Sequence, residues 1–459
     1  VKNPLLVPEL RELLASNNVE DLKEFCSAIH PADAADFLSG LEPPEIWDVL
    51  SRIEPRVAAE IFVELDEETQ VAVISLLKRH EFARLVSVMS PDERADLVKR
   101  LPEDKRESLL PSLAQAERED IRRLTAYPEG TAGSVMTSDY ATLSPGLTAA
   151  EAIEKLRREA PDKETIYYAY VVDERRKLLG FVSLKDLILA KGSTRVEDLM
   201  REDVIFANAN DDQEDAARKI AKYDLIALPV VNDEGTLVGI ITYDDAMDVL
   251  SQENQEDIEK LMAIAGPHEE FAYMRTSAWS HFRHRCGWIV VLAVLGLVSG
   301  AIVQNFEGLL IQFAILATFM PMLADTGGNT GSQSATLVVR ALALGEITPR
   351  DAGRVIVKEF GVAILLALVL AVVAFGRVLL FGHGATIPAG FSLYRIGVAI
   401  ALALGLQVVS STLIGALLPL GAARLKFDPA VIASPALTTI VDITGLLIYF
   451  STAKLILGL

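Results

Sequence analysis

An aspartate stands in the middle of the apolar segment that closes this chain. Residues 430–459 are mostly aliphatic or aromatic, among them Val431, Ile432, Leu437, Ile440, Ile443, Leu446, Tyr449 and Phe450, yet Asp442 lies between them. At about 1.5 Å of rise per helical residue, such a segment crosses a hydrocarbon core about 30 Å thick. A carboxylate at that depth costs roughly 2.5–3.5 kcal/mol, so Asp442 is expected to face protein, water or a cation. A second polar stretch, Ala324-Asp325-Thr326-Gly327-Gly328-Asn329-Thr330-Gly331-Ser332-Gln333-Ser334, interrupts another apolar segment. Lipid-facing backbone must keep its hydrogen bonds, so this stretch is read as a broken helix lying against other helices or a water-filled cavity. Oxygen donors without a Cys or His cluster suit a hard cation that keeps its waters.

Other chemistries find no support. The six histidines (His30, His80, His268, His281, His284, His383) have no metal-ligand spacing, and neither a His-Glu-x-x-His pair nor a Gly-x-x-x-x-Gly-Lys-Ser/Thr loop is present. That argues against a metalloprotease and an ATP-driven pump, and no enzyme is expected. Cys26 and Cys286 are the only cysteines, so a disulfide framework is not indicated and a reducing compartment fits the soluble part. The net charge of −20 is unevenly shared: a balance of +4 from Arg283 onward leaves −24 on the first 282 residues. A polyanionic half is a poor partner for nucleic acid or anionic headgroups and a good one for cations. No signal sequence opens the chain, and because it begins at Val1, some preceding residues are expected.

The elements that must hold Asp442 and Asn329 are five apolar spans. They run at about 286–303, 308–323 with its broken continuation, 355–380, 396–420 and 430–459. Basic residues cluster before the first span (Arg283, Arg285), between the second and third (Arg340, Arg350, Arg354, Lys358) and before the fifth (Arg424, Lys426). Arg377 and Arg395 lie in an outer loop and weaken this bias without reversing it. The positive-inside rule then makes the soluble half cytoplasmic and the C-terminus external. Gly296-x-x-x-Gly300 permits close helix packing, within one subunit or between two.

Ahead of the spans, residues 30–107 repeat every 12 residues, with Pro43, Pro55 and Pro91 in phase and Glu67 and Glu103 in equivalent places. Proline at a first helical position predicts a right-angled stack of short helices, a small α-solenoid. Next comes a duplication: the segment from Tyr170 to Asp186 recurs from Pro229 to Asp245. Each copy reads as strand, acidic turn, strand and a helix opened by Ser/Thr-x-x-Asp, with Met136-Thr137 or Leu199-Met200 ahead of it. An amphipathic connector follows, with one apolar stripe at Ile258, Leu261, Met262 and Ala265 and another at Phe271, Met274, Ala278 and Phe282.

The duplicated unit resembles a tandem pair of cystathionine-β-synthase-type (CBS) domains. That resemblance implies an adenine nucleotide such as ATP, with Ser183 and Asp186, and Thr242 and Asp245, as candidate ribose contacts; a plain helix cap is the competing reading. The Gly-Gly-Asn-Thr-Gly-Ser-Gln stretch, the spans, Asp442 before Thr444-Gly445-Leu446, the CBS pair and the acidic repeat together resemble MgtE-type magnesium transporters. The resemblance implies a multidomain membrane protein of the cell (plasma) membrane. It comprises an α-solenoid N domain (1–130), a tandem CBS pair (131–250), a connector helix (251–282) and an all-α five-helix transmembrane domain (283–459). It implies a homodimeric, Mg²⁺-selective, channel-like transporter gated by cytosolic Mg²⁺. In the pore it places Asp442, Asn329, Asp325 and Ser434, the last where the family often has Asn. As cytosolic sensor positions it gives Glu60, Asp92, Asp96, Asp212, Glu214, Asp224, Asp245, Glu253, Glu256, Asp257 and Asp428. A carrier of Co²⁺ or Mn²⁺, and a nucleotide-sensing protein with a passive anchor, are the rival readings; a passive anchor has no use for Asp442.

Overall fold

A helix begins every twelve residues from Pro31 to Gln115. The computed structural model describes residues 7–262, 264, 277–382, 387–429 and 435–459. After α1 (Val7–Ala15) and α2 (Val19–Ala28), the repeat comprises α3 (Pro31–Leu38), α4 (Pro43–Arg52), α5 (Pro55–Val63), α6 (Glu67–Leu76), α7 (Arg79–Val86), α8 (Pro91–Arg100), α9 (Glu103–Leu109) and α10 (Gln115–Leu124). Proline's fixed φ and missing N–H suit these starts. Carboxylates reinforce them: Glu93 accepts the Ser90 backbone N–H at 3.1 Å, and Asp66 that of Thr69 at 3.0 Å. Each helix packs on the next but one, burying Leu38, Ile46, Ile61, Phe62 and Phe82. The expected period of 30–107 runs one step further, because Gln115 starts a helix without a proline to mark it.

The duplicated region is two copies of one α/β unit. The first contains β1 (Tyr140–Leu143), α11 (Ala149–Glu159), β2 (Thr165–Val172), β3 (Leu178–Ser183) and α12 (Leu184–Leu189). After α13 (Val196–Leu199), the second contains β4 (Ala207–Asn208), α14 (Gln213–Tyr223), β5 (Ala227–Val231), β6 (Leu237–Thr242) and α15 (Tyr243–Leu261). In each sheet the first pair is parallel and the second antiparallel. The opening strand and helix of each copy go beyond the sequence reading, since four- and two-residue strands are too short to show alternation. The segments ahead of the copies are exchanged: Thr137 pairs with Ile240 of the second sheet, and Arg201, next after Leu199-Met200, with Phe181 of the first. Tyr140 donates to the Leu237 carbonyl at 2.9 Å, and Tyr170 to that of Ala227 at 3.3 Å, joining the copies.

The chain divides into two units, Val1–Glu253 and Asn254–Leu459. After the end of α15, the second holds α16 (Ala278–Asn305), α17 (Glu307–Gln312), α18 (Ala314–Ala317), α19 (Met320–Ala343), α20 (Ala352–Phe381), α21 (Leu393–Arg424) and α22 (Pro435–Leu457). Among the described residues, four helices are long and apolar enough to cross a membrane: those of residues 278–305, 349–381, 393–424 and 436–457. The second expected span differs from its reading. Through Gly327, Gly328 and Gly331, α19 is one continuous helix, and the break lies earlier, between α17, α18 and α19. Pro321 explains the shift, because it starts a helix readily and cannot continue one. Ala278 and Phe282 belong to α16 and not to a separate connector; Phe271 and Met274 lie outside the described residues.

Candidate functional site

In the second unit, α21 is the central post, packed against α19, α20 and α22. Two glycine contacts allow this. A Cβ on Gly415 of α21 would strike the Gly331 backbone of α19, with its Cα only 3.0 Å away. Gln407 of α21 is wedged between Gly327 of α19 and Gly445 of α22 and donates to the Val441 carbonyl at 3.2 Å. Ser411 donates to the Gly327 carbonyl, and Thr330 to Ser411 at 3.2 Å. Gly327 and Gly331 of the polar stretch are therefore helical residues that admit a neighbour's side chain and backbone.

That packing sets the direction of the polar groups. The small face of α19 (Gly327, Thr330, Gly331, Ser334, Ala335) is buried, so its other face presents Asp325, Asn329, Gln333, Thr336 and Arg340 outward. Asn329 Nδ2 donates to Asp325 Oδ1 one turn away at 3.1 Å. Asp442 is half-buried on α22 beside Val441, the residue that meets Gly327. Among the described residues no hydrogen bond or ion pair reaches Asp442. Ser434 lies outside the described residues. Gly296 and Gly300 meet nothing within 4 Å, so packing within the described chain does not account for that motif.

One acidic group in this unit escaped the sequence reading. Glu359 shares the inner face of α20 with Ala363, Ala367, Ala374 and Val378 and accepts the Ser334 hydroxyl of α19 at 2.8 Å. With Thr330, Ser334 and Thr412 it borders a cavity of about 600 Å³. Its charge stands next to the basic Lys358 in sequence, so nothing local marks it out.

In the first unit a second acidic group forms where the repeat meets both CBS copies. Asp92, at the start of α8, lies beside Ser90 and Thr137, while its Oδ1 is buried without a hydrogen-bond partner among the described residues. Burial, with Asp96 nearby, pushes the Asp92 carboxyl up. The same influences raise Asp245 to about 8, burial first and then Asp92, despite the Thr242 hydroxyl it accepts. Glu164 is raised to about 7 by burial, Asp92, Glu93, Asp244 and Asp139. Glu93 and Asp139 are also raised, chiefly by burial. Glu60 shares a cavity of about 470 Å³ with Glu93, Asp139 and Glu164, and pairs with Arg56 at 3.3 Å. Three of these acids (Glu93, Asp139, Glu164) were not singled out in the sequence, since they come from α8, the turn before β1 and the turn before β2.

The remaining candidates lie apart from this group or have protein partners. Asp96 pairs with Lys99 at 3.0 Å. Asp212 caps α14 by accepting the Glu214 N–H at 2.8 Å, Glu214 pairs with Arg218, and Asp224 ends α14 at φ 52°. Glu253 accepts Gln213 at 2.7 Å. In the second unit, Lys260 is 2.9 Å from both Glu256 and Asp428, while Asp257 is one residue along α15. Burial would lower the Lys260 ammonium, but hydrogen bonds to Glu256 and Asp428 hold it well above the usual lysine range.

Among the described residues no three acids or histidines converge tightly enough to cage an ion. The donor set is carboxylate and hydroxyl oxygen, spread wider than direct coordination allows. That fits a hard divalent cation held through its waters.

The two Ser/Thr-x-x-Asp pairs are unequal. Ser183 donates to Asp186 at 2.7 Å and accepts its N–H at 3.1 Å, which is a helix cap, and the pair lies in a partly open setting beside Arg201. Thr242 is buried and Asp245 half-buried, and the Asp245 carboxyl faces the acidic group.

Comparison with known proteins covers most of the chain. Residues 320–452 match a family described as a divalent cation transporter, MgtE; residues 29–130 match the MgtE intracellular N domain; residues 132–192 and 196–252 match CBS domains. The magnesium transporter MgtE of Thermus thermophilus is 43% identical over 338 residues, 74% of this chain and 72% of that protein. Its Bacillus subtilis counterpart is 37% identical over 334 residues, 72% and 71%. The crystal structure of the cytosolic domain of the Mg²⁺ channel MgtE in complex with ATP is similar at a TM-score of 0.50 and 37% identity, covering 52% of this chain and 98% of that one.

Proposed function

The chain belongs to the MgtE family of divalent cation transporters, and on that premise we propose that it passes Mg²⁺ across the cell membrane under the control of acidic groups in its cytosolic half. It acts as a transporter and not as an enzyme. The observation that carries the reading is the outward polar face of α19, with the lone Asp442 on α22. Polar groups facing lipid are expensive. A second copy related by a two-fold axis would cover that face and bring two Asp442 carboxylates to one passage. Two carboxylates repel each other without a cation and hold a hydrated Mg²⁺ through its waters with one. Ser434, just ahead of α22, belongs to this set by resemblance alone.

The domains proposed are a helical repeat at 1–130, a CBS pair at 131–250, a connector from 251 up to the start of α16 at Ala278, and a membrane domain of five spans from there to 459, with the N-terminal half in the cytoplasm and the C-terminus outside. Control follows from charge. Two copies of the acidic half repel within a Debye length of about 8–10 Å, and cytosolic Mg²⁺ at Asp92, Asp245, Glu60 and their neighbours draws them together and closes the passage. Vesicles holding the chain are expected to take up Mg²⁺ when internal Mg²⁺ is micromolar and to slow at least about tenfold when it is millimolar, about 1.4 kcal/mol of coupling. Ca²⁺ or Co²⁺ that moved as readily as Mg²⁺ would overturn the selectivity, and uptake indifferent to internal Mg²⁺ would overturn the gate.

The place this reading gives an adenine nucleotide is the partly exposed pair Ser183 and Asp186. Asp245 sits among like charges, which repel a phosphate. ATP affinity measured by calorimetry is expected to fall about tenfold or more in Asp186→Ala, which loses a charge-assisted hydrogen bond, and to hold in Thr242→Val. The reverse order would move the nucleotide to the second copy.

A further inference from the structure

Lys260 occupies the space between two sensor carboxylates that belong to different elements. Its ammonium lies 2.9 Å from Glu256, one turn back on α15, and 2.9 Å from Asp428. Asp428 stands between the end of α21 and the start of α22, the helix that carries Asp442. The Glu256–Lys260 spacing is the favoured i,i+4 orientation, so α15 holds the ammonium in place and aims it at Asp428. All three side chains are partly exposed, so water and ions reach the site.

We propose that Lys260 is a tethered competitor for the divalent cation at the Glu256–Asp428 site, with ammonium and hydrated Mg²⁺ occupying it in turn. The proposal rests on the reading of Glu256 and Asp428 as sensor carboxylates. At low Mg²⁺ the ammonium cancels part of the repulsion between the connector and the mouth of α22 and keeps the two joined. A divalent cation brings twice the charge to the same carboxylates and displaces it. Lysine suits this role because its ammonium is a compact point charge on a flexible stem, unlike the planar, bidentate fork of arginine. Occupancy by Lys260 lowers the fraction of sites open to Mg²⁺ and raises the concentration at which the sensor responds. If ammonium fills about nine sites in ten, the apparent affinity is reduced about tenfold.

The test uses the full chain and two readouts. The first is the Mg²⁺ midpoint for protection of the soluble half from protease, compared among the parent, Lys260→Met and Lys260→Arg. Lys260→Met is expected to lower the midpoint about tenfold and Lys260→Arg to leave it at or above the parent value. A midpoint for Lys260→Met equal to or above the parent's would overturn the proposal while leaving the sensor reading intact. A parent chain with no Mg²⁺-dependent protection would overturn both. The second readout needs no variant: acylation of Lys260 by an amine reagent, followed by peptide mass spectrometry, should rise as Mg²⁺ is added, with Lys222 on α14 as a control that does not change. Labelling of Lys260 that stays flat or falls would overturn displacement even if a variant misfolds.

Discussion

Asp442→Asn is expected to leave the second unit folded and to cut Mg²⁺ uptake at least about 100-fold, the equivalent of roughly 2.8 kcal/mol of lost cation stabilisation. Folding should survive because no described partner depends on the carboxylate, and the contacts that hold α22 are made by its neighbours. Val441 takes the Gln407 amide, Gly445 admits the Gln407 side chain, and Tyr449 donates to the Leu316 carbonyl at 2.9 Å. The amide has nearly the same shape and removes only charge. In the two-fold arrangement one substitution removes two charges from one passage, so a hydrated divalent ion loses its main attraction there. Helix content and oligomeric size, measured beside uptake, separate this outcome from misfolding.

Mg²⁺ is expected to raise the unfolding temperature of the soluble unit by about 5–10 °C at pH 8.5 and by little at pH 5.5. The sign follows from the acidic group around Asp92. Folding raises Asp245 from 3.8 to about 8 and Glu164 from 4.5 to about 7, so the folded state binds more protons than the unfolded state between about pH 4 and 8. Without a metal, stability therefore falls as pH rises through that window and levels off above it. Protons neutralise the group at low pH, and a divalent cation must do so at high pH. Differential scanning calorimetry of the full chain with Mg²⁺ or EDTA checks this. Equal shifts at the two pH values would mean that Mg²⁺ does not act on these carboxylates. Asp92→Asn combined with Asp245→Asn should flatten the pH dependence and shrink the Mg²⁺ effect at pH 8.5.

The features legible from sequence are those written by local rules. Proline at a first helical position marked Pro43, Pro55 and Pro91 as starts in phase, and the duplicated strand, turn, strand and helix announced the CBS pair. Asp442 stood out because a charge in an apolar segment needs a reason. The glycine stretch misled for a physical cause: glycine lowers helix propensity, yet in α19 the missing Cβ atoms of Gly327 and Gly331 make room for Gln407 and Ser411 of another helix. No local pattern encodes that contact. The exchange of Thr137 and Arg201 between sheets was hidden for the same reason, as was the meeting of Asp92, Glu164 and Asp245 from three separate segments. Glu359 and Lys260 carry a charge unremarkable in its own neighbourhood. Their roles come from Ser334 and Asp428, which only folding brings near.

The central claim is that Mg²⁺ passes beside Asp442. Its most direct test is Mg²⁺ uptake by vesicles holding equal amounts of folded parent or Asp442→Asn chain, with the interior chelated so that the gate is open. The account predicts rapid uptake by the parent and uptake by the variant no greater than that of protein-free vesicles. Equal uptake by the two would contradict it and take Asp442 out of the path of the ion.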